Sequence, residues 1–431
     1  MTTLQSGFRT NWGYGVTALG RYGSGTFYYL RCVKKRVVIG LSGGVDSSVA
    51  AWVLKEQGYD VIGLFMRNWH DTTGLLQSDC HWEDDVMFAE MVAKKTGIPF
   101  HIVDLSEPYR RRVVNYMFAE YEKGRTPNPD VLCNREIKFD SFVLEAKKLG
   151  ADFVATGHYC RKDGIKSGGD TIYRLLAGKD DNKDQSYFLC QVSQAQLAGA
   201  LFPIGDLTKP EVRKIADDLG LPTARRKDSQ GICFIGKVHL PVFLQQKLKA
   251  KEGPVIEIAR EADLLLWHSG YPDENVTDKQ LKKMTSPHQF DNLPGKKVGN
   301  HNGAHFFTIG QRKGINIGGY KEPLFVIGTD VQNNILYVGE GQSHPGLYRK
   351  GLFIRDDEIH WIRTDLAMNI GGSREYMVRI RYRQPLQKAI LFRRKDGIYV
   401  IFNKLQRGIA PGQFAAWHEG DEVIGSGVIG V

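Results

Sequence analysis

The chain has 431 residues, 42% of them hydrophobic, and a formal net charge of +10. This length exceeds one ordinary compact domain, so two or three domains are expected. No apolar run approaches the ~20 residues of a membrane-spanning helix, which excludes a protein built on such helices. The excess of positive charge fits ordinary solubility and a polyanionic partner equally well.

The first 36 residues carry six basic side chains and no acidic one, so the rest of the chain has a charge of 10 − 6 = +4. We expect residues 1–32 to lie outside the folded protein and to be disordered. They are either untranslated sequence upstream of a start at Val33 or an organelle transit peptide. The first alternative is favoured and implies a cytoplasmic protein.

Strand and helix signals alternate from residue 37 to about 160. The strand "RVVIGLS" precedes the helix "SSVAAWVLKEQG", and "YDVIGLFM", "PFHIVDL" and "ADFVATGHY" are further strands separated by helices. This alternation predicts an α/β fold, a parallel sheet with helices on both faces. Ligands of such folds lie beyond the carboxyl ends of the strands, where residues 40–47, 66–68 and 156–158 fall.

The pattern changes towards the C-terminus. "TKPEVRKIADDLG" is a helix with Thr208 as cap and Gly220 as stop. Residues 251–300 lose periodicity and are interpreted as a connecting region. Short strands from residue 304 onward predict a small barrel. We therefore expect a catalytic parallel-sheet domain at 33–245, a small central domain with an extended linker at 246–345, and a C-terminal β-barrel at 346–431.

The loop "SGGVDSS" directly follows the first strand and opens a helix. Backbone N–H groups at such a turn suit phosphate. The lysine of a Walker loop and the GxGxxG of a dinucleotide loop are both absent, which disfavours those chemistries. The loop instead resembles that of PP-loop ATP pyrophosphatases, which adenylate an oxygen and release pyrophosphate.

An adenylated oxygen needs a nucleophile to displace it, and two of the six cysteines are candidates. Cys133 and Cys233 stand among polar residues, Gly and Pro, with nearby Arg and Lys that would favour the thiolate. Asp130 is a candidate acid or base. Cys32, Cys160 and Cys190 are expected to be buried thiols, and Cys80 has no assigned role. The spacing of the six indicates neither a disulfide scaffold nor a usual zinc site.

Longer motifs carry a closer resemblance. "GLSGGVDSS", "GLFMRNW", "EYEKGRTPNPDVLCNREIKF", "ATGHYCR", "NKDQSYFLCQVSQ", "KDSQGICFIGK" and "FTIGQRKGINIGG" are similar to motifs of the tRNA-specific 2-thiouridylase family. The resemblance runs from about residue 36 to the C-terminus. The connecting region is longer than the common form, and its flanks resemble a bacterial subgroup.

The resemblance implies ATP-dependent 2-thiolation of the wobble uridine (U34) of tRNA. Adenylation of the C2 oxygen would be followed by attack of sulfur from a persulfide on Cys233, with Cys133 as the partner thiol in a transient disulfide. Asp46 would help to place Mg²⁺. The implied ATP-binding residues are Gly40, Leu41, Ser42, Gly43, Gly44, Val45, Asp46, Ser47, Met66 and Gly157.

The same resemblance implies contacts with RNA, because a base must leave the stack to be modified. Asn128, Pro129 and Asp130 would receive the flipped uridine. The implied tRNA contacts are His158, Lys183, Asp184, Gln185, Arg381, Tyr382 and Gln413. The partners would be tRNAs for Lys, Glu and Gln and a sulfur donor supplied by a cysteine desulfurase, with no membrane partner.

Two other functions compete with this one. A PP-loop ligase that attacks the adenylate with an amine would not need two well-placed cysteines. A non-catalytic tRNA-binding protein would not need an intact Asp46. Release of pyrophosphate from ATP that depends on tRNA separates the three.

Overall fold

The structure is a computed structural model that describes residues 34–69, 82–228, 240–260 and 276–431. Residues 35–431 belong to one compact unit. The predicted extension 1–32, together with Cys32, Cys80 and Cys233, lies outside the described residues.

Strands dominate the second half of the chain, as the sequence predicts. In chain order they are β1 Arg36–Gly40, β2 Asp60–Arg67, β3 Phe100–Asp104, β4 Phe153–Ala155, β5 Cys160–Ser167, β6 Asp170–Ala177, β7 Ala200–Leu201, β8 Gly253–Ile258, β9 Gly295–His301, β10 Leu324–Asp330, β11 Ile335–Glu340, β12 Tyr348–Arg355, β13 Ile359–Trp361, β14 Ser373–Arg379, β15 Gln387–Arg394, β16 Gly397–Arg407, β17 Phe414–Glu419 and β18 Glu422–Val428.

Helices are concentrated before residue 245. They are α1 Val45–Glu56, α2 Trp82–Thr96, α3 Ser106–Tyr109, α4 Asn115–Glu122, α5 Pro129–Leu132, α6 Phe142–Lys148, α7 Gln194–Ala198, α8 Lys209–Asp218, α9 Leu240–Leu244 and α10 Asp278–Thr285. Two π-helical segments continue them: Arg110–Val114 joins α3 to α4, and Cys133–Ser141 joins α5 to α6. Among the helices of the described ranges, none combines the length and apolarity needed to cross a bilayer.

The first sheet is parallel and has the strand order β3-β2-β1-β4-β7. Alternate side chains of β1 enter different cores. Val37 and Ile39 pack in one core with α1, α2 and α8, and Val38 packs in the other with the helices between residues 105 and 149. A strand that is buried on both faces is typical of a parallel sheet between two helical layers, so the predicted α/β architecture is confirmed.

The second sheet, in the order β10-β11-β8-β9, forms the centre of the chain. Its strands β8 and β9 and the helix α10 lie between residues 253 and 301, in a region where the sequence predicted a small central domain but no individual strand or helix. The six residues of β8 become a strand because they pair with β9 on one side and with β11, about 80 positions along the chain, on the other. A sequence window that ends at residue 300 does not contain the second partner.

The third sheet contains the predicted C-terminal barrel. Strands β12, β16, β15, β14, β17 and β18 follow one another, and the Gly430 N–H donates to the Phe353 carbonyl at 2.8 Å to bring the end of the chain back to β12. The hairpin β5–β6 of the catalytic half adds to this sheet, because β6 pairs antiparallel with β18. The boundaries predicted before residues 33, 246 and 346 stay a prediction.

Candidate active site

The loop between β1 and α1 is closed by its own serine hydroxyls. The Ser47 and Ser48 hydroxyls donate to the Gly44 carbonyl at 3.1 and 2.7 Å, and the Ser42 N–H donates to the Ser47 hydroxyl oxygen at 3.1 Å. Gly44 is the N-cap of α1 and supplies no side-chain cap. The first N–H groups of a helix have no partner within it, so this end of α1 presents donors and a positive dipole to an anion.

Glycine is required where the loop meets its neighbours. Gly43 has φ +74°, and a Cβ there would overlap the Asp85 carbonyl of α2. A Cβ on Gly157, just beyond β4, would lie 2.8 Å from the Ser47 backbone nitrogen. A Cβ on Gly40 would lie 3.3 Å from the Met66 methyl carbon. The structure therefore brings the ends of β1, β2 and β4 together at this loop, and contact of Met66 and Gly157 with the nucleoside stays a prediction.

Asp46, in the first turn of α1, accepts hydrogen bonds from two residues that the sequence did not single out. The Tyr159 hydroxyl donates to it at 2.6 Å, and the Lys209 ammonium lies 2.7 and 2.9 Å from its two oxygens. Burial, and then the Asp46 carboxylate, raise the pKa of Tyr159 far above its usual value, so this phenol stays a donor. Lys209 stands at the start of α8, whose capping signals the sequence did show.

Asp228 extends this charged network towards the surface. It lies 2.8 Å from the Lys209 ammonium, and Lys183 and Arg213 both contact it at 2.7 Å. Partial burial opposes ionisation, but hydrogen bonds from Lys183 and Lys209 lower the pKa of Asp228 to about 2. Asp228 is therefore a carboxylate at neutral pH, and Lys183, a predicted tRNA contact, has an internal partner.

Arg226 fixes the loop from the opposite side. Its guanidinium donates to the Gly43 carbonyl at 2.8 Å and pairs with Asp85 at 2.8 Å. One guanidinium thereby ties the Gly43 carbonyl of the loop to the first turn of α2. Nothing in the sequence around Arg226 indicated this contact, because its partners lie more than 140 positions away.

Cys133 begins the π-helical segment after α5, and its N–H donates to the Asp130 carbonyl. Its side chain is fully buried in the core that also holds Val131, Leu132 and Ile137. The expected polar surroundings of Cys133 are therefore wrong. Residues one, two and four positions away are buried with it, so this stretch of helix is buried on more than one face.

The structure also shows the partners of Arg135, one of the cations predicted to favour the Cys133 thiolate, and the surroundings of two other cysteines. Arg135 donates to Glu136 and Gln191, each at 2.7 Å. Cys160 and Cys190 are free and buried, as expected. Burial, and next the Asp184 carboxylate, raise the pKa of Cys160 well above its usual value, and burial raises that of Cys190 to about 12. Both therefore remain thiols. The predicted pairing of Cys133 with Cys233 lies outside the described residues.

The predicted base-binding segment, Asn128 to Asp130, is held by the barrel. Asn128 caps α5 by accepting from the Val131 N–H at 3.3 Å. The Gln413 side-chain amide donates to the Thr126 and Pro127 carbonyls at 3.0 and 3.2 Å, just before this segment. Gln413, predicted as a tRNA contact, is thus a link between the barrel and the catalytic half.

Other predicted tRNA contacts also have partners inside the protein. Asp184 is buried and pairs with Arg379 at 3.1 Å. Buried His158 contacts the Thr156 hydroxyl at 2.7 Å, and burial lowers its pKa well below the usual value. The remaining three have the following partners: Gln185 accepts from the Tyr159 N–H, Arg381 donates to the Ile309 and Gly408 carbonyls, and the Tyr382 ring packs 4.3 Å from that of Phe188. Direct contact of these residues with tRNA stays a prediction.

Magnesium can be tested against the side chains at the loop. In the part of the chain that the structure describes, no group of three or more His, Cys, Asp or Glu lies together as a metal site. Mg²⁺ commonly uses one or two carboxylates together with substrate phosphates and waters. A single carboxylate, that of Asp46, is enough for a magnesium site in which the nucleotide and water supply most of the ligands.

Three family models match successive parts of the chain. Their descriptions are "tRNA methyl transferase HUP domain" at residues 35–237, "tRNA methyl transferase PRC-barrel domain" at 278–340 and "Aminomethyltransferase beta-barrel domain" at 352–429. A solved 4-thiouridine synthetase–RNA complex with bound ATP aligns over 49% of this chain and 50% of its own at 16% identity, with a TM-score of 0.30, which is too low to support any inference.

Relatives match over almost the whole chain. The "tRNA-specific 2-thiouridylase MnmA" of Christiangramia forsetii is 58% identical over 92% of this chain and 100% of its own. The protein of the same name from Flavobacterium johnsoniae is 57% identical over the same shares, and that of Karelsulcia muelleri is 46% identical over 92% of this chain and 99% of its own. The resemblance in the motifs is confirmed: the chain belongs to the tRNA-specific 2-thiouridylase MnmA family.

Proposed function

We propose that the chain is a tRNA-uridine 2-sulfurtransferase, which uses ATP to replace the C2 oxygen of the wobble uridine by sulfur. The observation that carries this proposal is a lysine-free anion loop at the end of β1 in a chain 58% identical to a 2-thiouridylase. The loop binds the phosphates through backbone N–H groups. Activation of an oxygen by adenylation is the chemistry that such a loop supports.

The first step forms the adenylate. The C2 oxygen of the uridine attacks the α-phosphorus of ATP, and the bond from that phosphorus to the pyrophosphate oxygen breaks, so pyrophosphate leaves with the electron pair. The α1 N-terminus, uncapped by any side chain, stabilises the anionic phosphates. Mg²⁺, held by Asp46 and the phosphates, would neutralise part of their charge.

The second step transfers sulfur. The terminal sulfur of a Cys233 persulfide attacks C2, and AMP leaves. The Cys133 thiolate then attacks the Cys233 sulfur, so a Cys133–Cys233 disulfide forms and the transferred sulfur remains on C2. A thiol reductant must supply two electrons before the next turnover. Because Cys133 is fully buried, its helical segment must move when tRNA binds, and Asp130 is the nearby acid or base.

The partners follow from the same proposal. The tRNA substrates are those for Lys, Glu and Gln, with the flipped base received at Asn128 to Asp130. The sulfur comes from a donor charged by a cysteine desulfurase. The protein acts in the cytoplasm.

The descriptions of two of the matching family models name a tRNA methyl transferase, so methyl transfer to tRNA is a second candidate activity. The decisive experiment incubates the purified chain with ATP, tRNA and a charged sulfur donor. It measures pyrophosphate release and then analyses the tRNA nucleosides by mass spectrometry. We expect pyrophosphate release that depends on tRNA, and 2-thiouridine at the wobble position.

Two variants sharpen the experiment. Serine cannot hold a persulfide, so Cys233→Ser should bind tRNA but form no 2-thiouridine. Cys190→Ala removes a buried thiol elsewhere and should retain the reaction. A methyl group on the base, a product linked through nitrogen, or ATP turnover without tRNA would each contradict the proposed function.

A further inference from the structure

Lys209 is held at the phosphate loop by the fold of its own helix. The Thr208 hydroxyl caps α8 by accepting from the Glu211 N–H, and the Glu211 carboxylate accepts from the Thr208 N–H in return. This capping box fixes Lys209 as the first residue of the helix. Its side chain is 12% exposed and reaches Asp46, in the first turn of α1. The ammonium therefore lies beside the N-terminus of α1, which no side chain caps.

Both carboxylates that contact the Lys209 ammonium have other partners. The ammonium contacts Asp46 and Asp228, and a third carboxylate, Asp180, accepts from the Lys209 backbone N–H at 2.9 Å. Asp228 keeps Lys183 and Arg213 without Lys209, and Asp46 keeps the Tyr159 hydroxyl. Lys209 can therefore leave Asp46 while both carboxylates keep a hydrogen-bond partner.

We propose that Lys209 supplies the cation that the loop itself lacks. When ATP binds, its ammonium passes from Asp46 to the β- and γ-phosphate oxygens, and the freed Asp46 carboxylate faces the metal. As the bond between the α-phosphorus and the pyrophosphate oxygen breaks, the negative charge on the leaving pyrophosphate grows, and the ammonium stabilises it. This inference rests on the proposed function, since it assigns a further residue to the ATP site.

The proposal predicts a loss that depends on the β- and γ-phosphates. AMP has neither group, so Lys209→Met should weaken ATP binding by about 10- to 100-fold and leave AMP binding nearly unchanged. Isothermal titration calorimetry with Mg²⁺ gives both dissociation constants, and their ratio is the readout. Lys214→Met is the matched control, because Lys214 is an exposed lysine of the same helix that pairs with Asp218.

Each outcome decides the assignment. A fall in the preference for ATP over AMP in Lys209→Met but not in Lys214→Met supports it. An unchanged preference, or an equal loss for both nucleotides, overturns it and leaves Lys209 with a structural role. If Lys209→Met does not melt cooperatively, Lys209→Gln keeps a donor for Asp46, and the same ratio is measured. A wild-type protein that binds ATP but releases no pyrophosphate with tRNA would contradict the proposed function instead.

Discussion

Gly157→Ala should push the first turn of α1, which follows the phosphate loop, away from the end of β4 without unfolding the protein. The added Cβ would stand 2.8 Å from the Ser47 nitrogen and 2.9 Å from the Asp46 carbonyl carbon, both backbone atoms that cannot rotate away. The contact must open by about 0.6 Å, the difference from the 3.4 Å at which ordinary contact begins. Overpacking of this kind costs about 1–3 kcal/mol.

The displaced atoms are the first turn of α1, so the cost should fall on catalysis as well. Misplacement of a binding group by about 1 Å can lower the rate by about 10²-fold, so we expect a loss of up to that size in kcat/KM for ATP. Urea unfolding and pyrophosphate release give the two quantities. Gly199→Ala is the control, since its Cβ meets nothing within 4 Å. Wild-type kinetics in Gly157→Ala would refute the reasoning.

Three further predictions address other parts of the site. Cys133→Ser should stop thiolation and leave a persulfide on Cys233, to be trapped by alkylation and identified by peptide mass spectrometry; any 2-thiouridine formed would exclude the role. Gln413→Ala should destabilise the protein by about 1 kcal/mol in urea and slow thiolation with ATP binding unchanged, whereas full activity would make the link to the barrel dispensable. Burial, and next Arg379, lower the pKa of His418 to about 3, so below pH 6.5 the unfolded chain takes up a proton that the folded one does not. The stability attributable to His418 is complete above pH 6.5, and the free energy of unfolding falls by up to about 1.4 kcal/mol per pH unit below it. Urea unfolding at pH 5 and pH 7 measures this loss of free energy. The loss between the two pH values should be smaller in His418→Gln than in the wild type, whereas His101→Gln, a substitution of an exposed histidine, should not reduce it.

Local signals in the sequence predicted the elements that depend on local interactions. The parallel sheet follows from the alternation of apolar strands and helices, and α8 follows from the Thr208 cap and the Gly220 stop. The strands β8 and β9 were missed because their pairing is decided by residues far along the chain. Register between distant strands is not encoded in any short window.

The features of the candidate site also divide into those that local sequence predicts and those that depend on residues far apart in the chain. The loop between β1 and α1 is one continuous stretch of sequence, so its capacity to bind an anion could be predicted from its residue types. The contact of Asp46 with Lys209 spans 163 positions, and that of Gln413 with Thr126 spans 287. The burial of Cys133 was also missed, because the core that encloses it includes residues such as Tyr187 and Phe414, which lie far along the chain.

The pairing of β6 with β18 has a consequence for synthesis on the ribosome. The edge of β6 emerges with Ala177, and the strand that covers it begins only at Glu422, 245 residues later. At about 5–20 residues per second, this edge waits roughly 10 to 50 s with unsatisfied backbone groups, the condition that invites pairing with another chain. The nascent catalytic half therefore exposes this edge until the last strand arrives, and a chain truncated before the barrel should aggregate more readily than the full chain even though its nucleotide loop is complete.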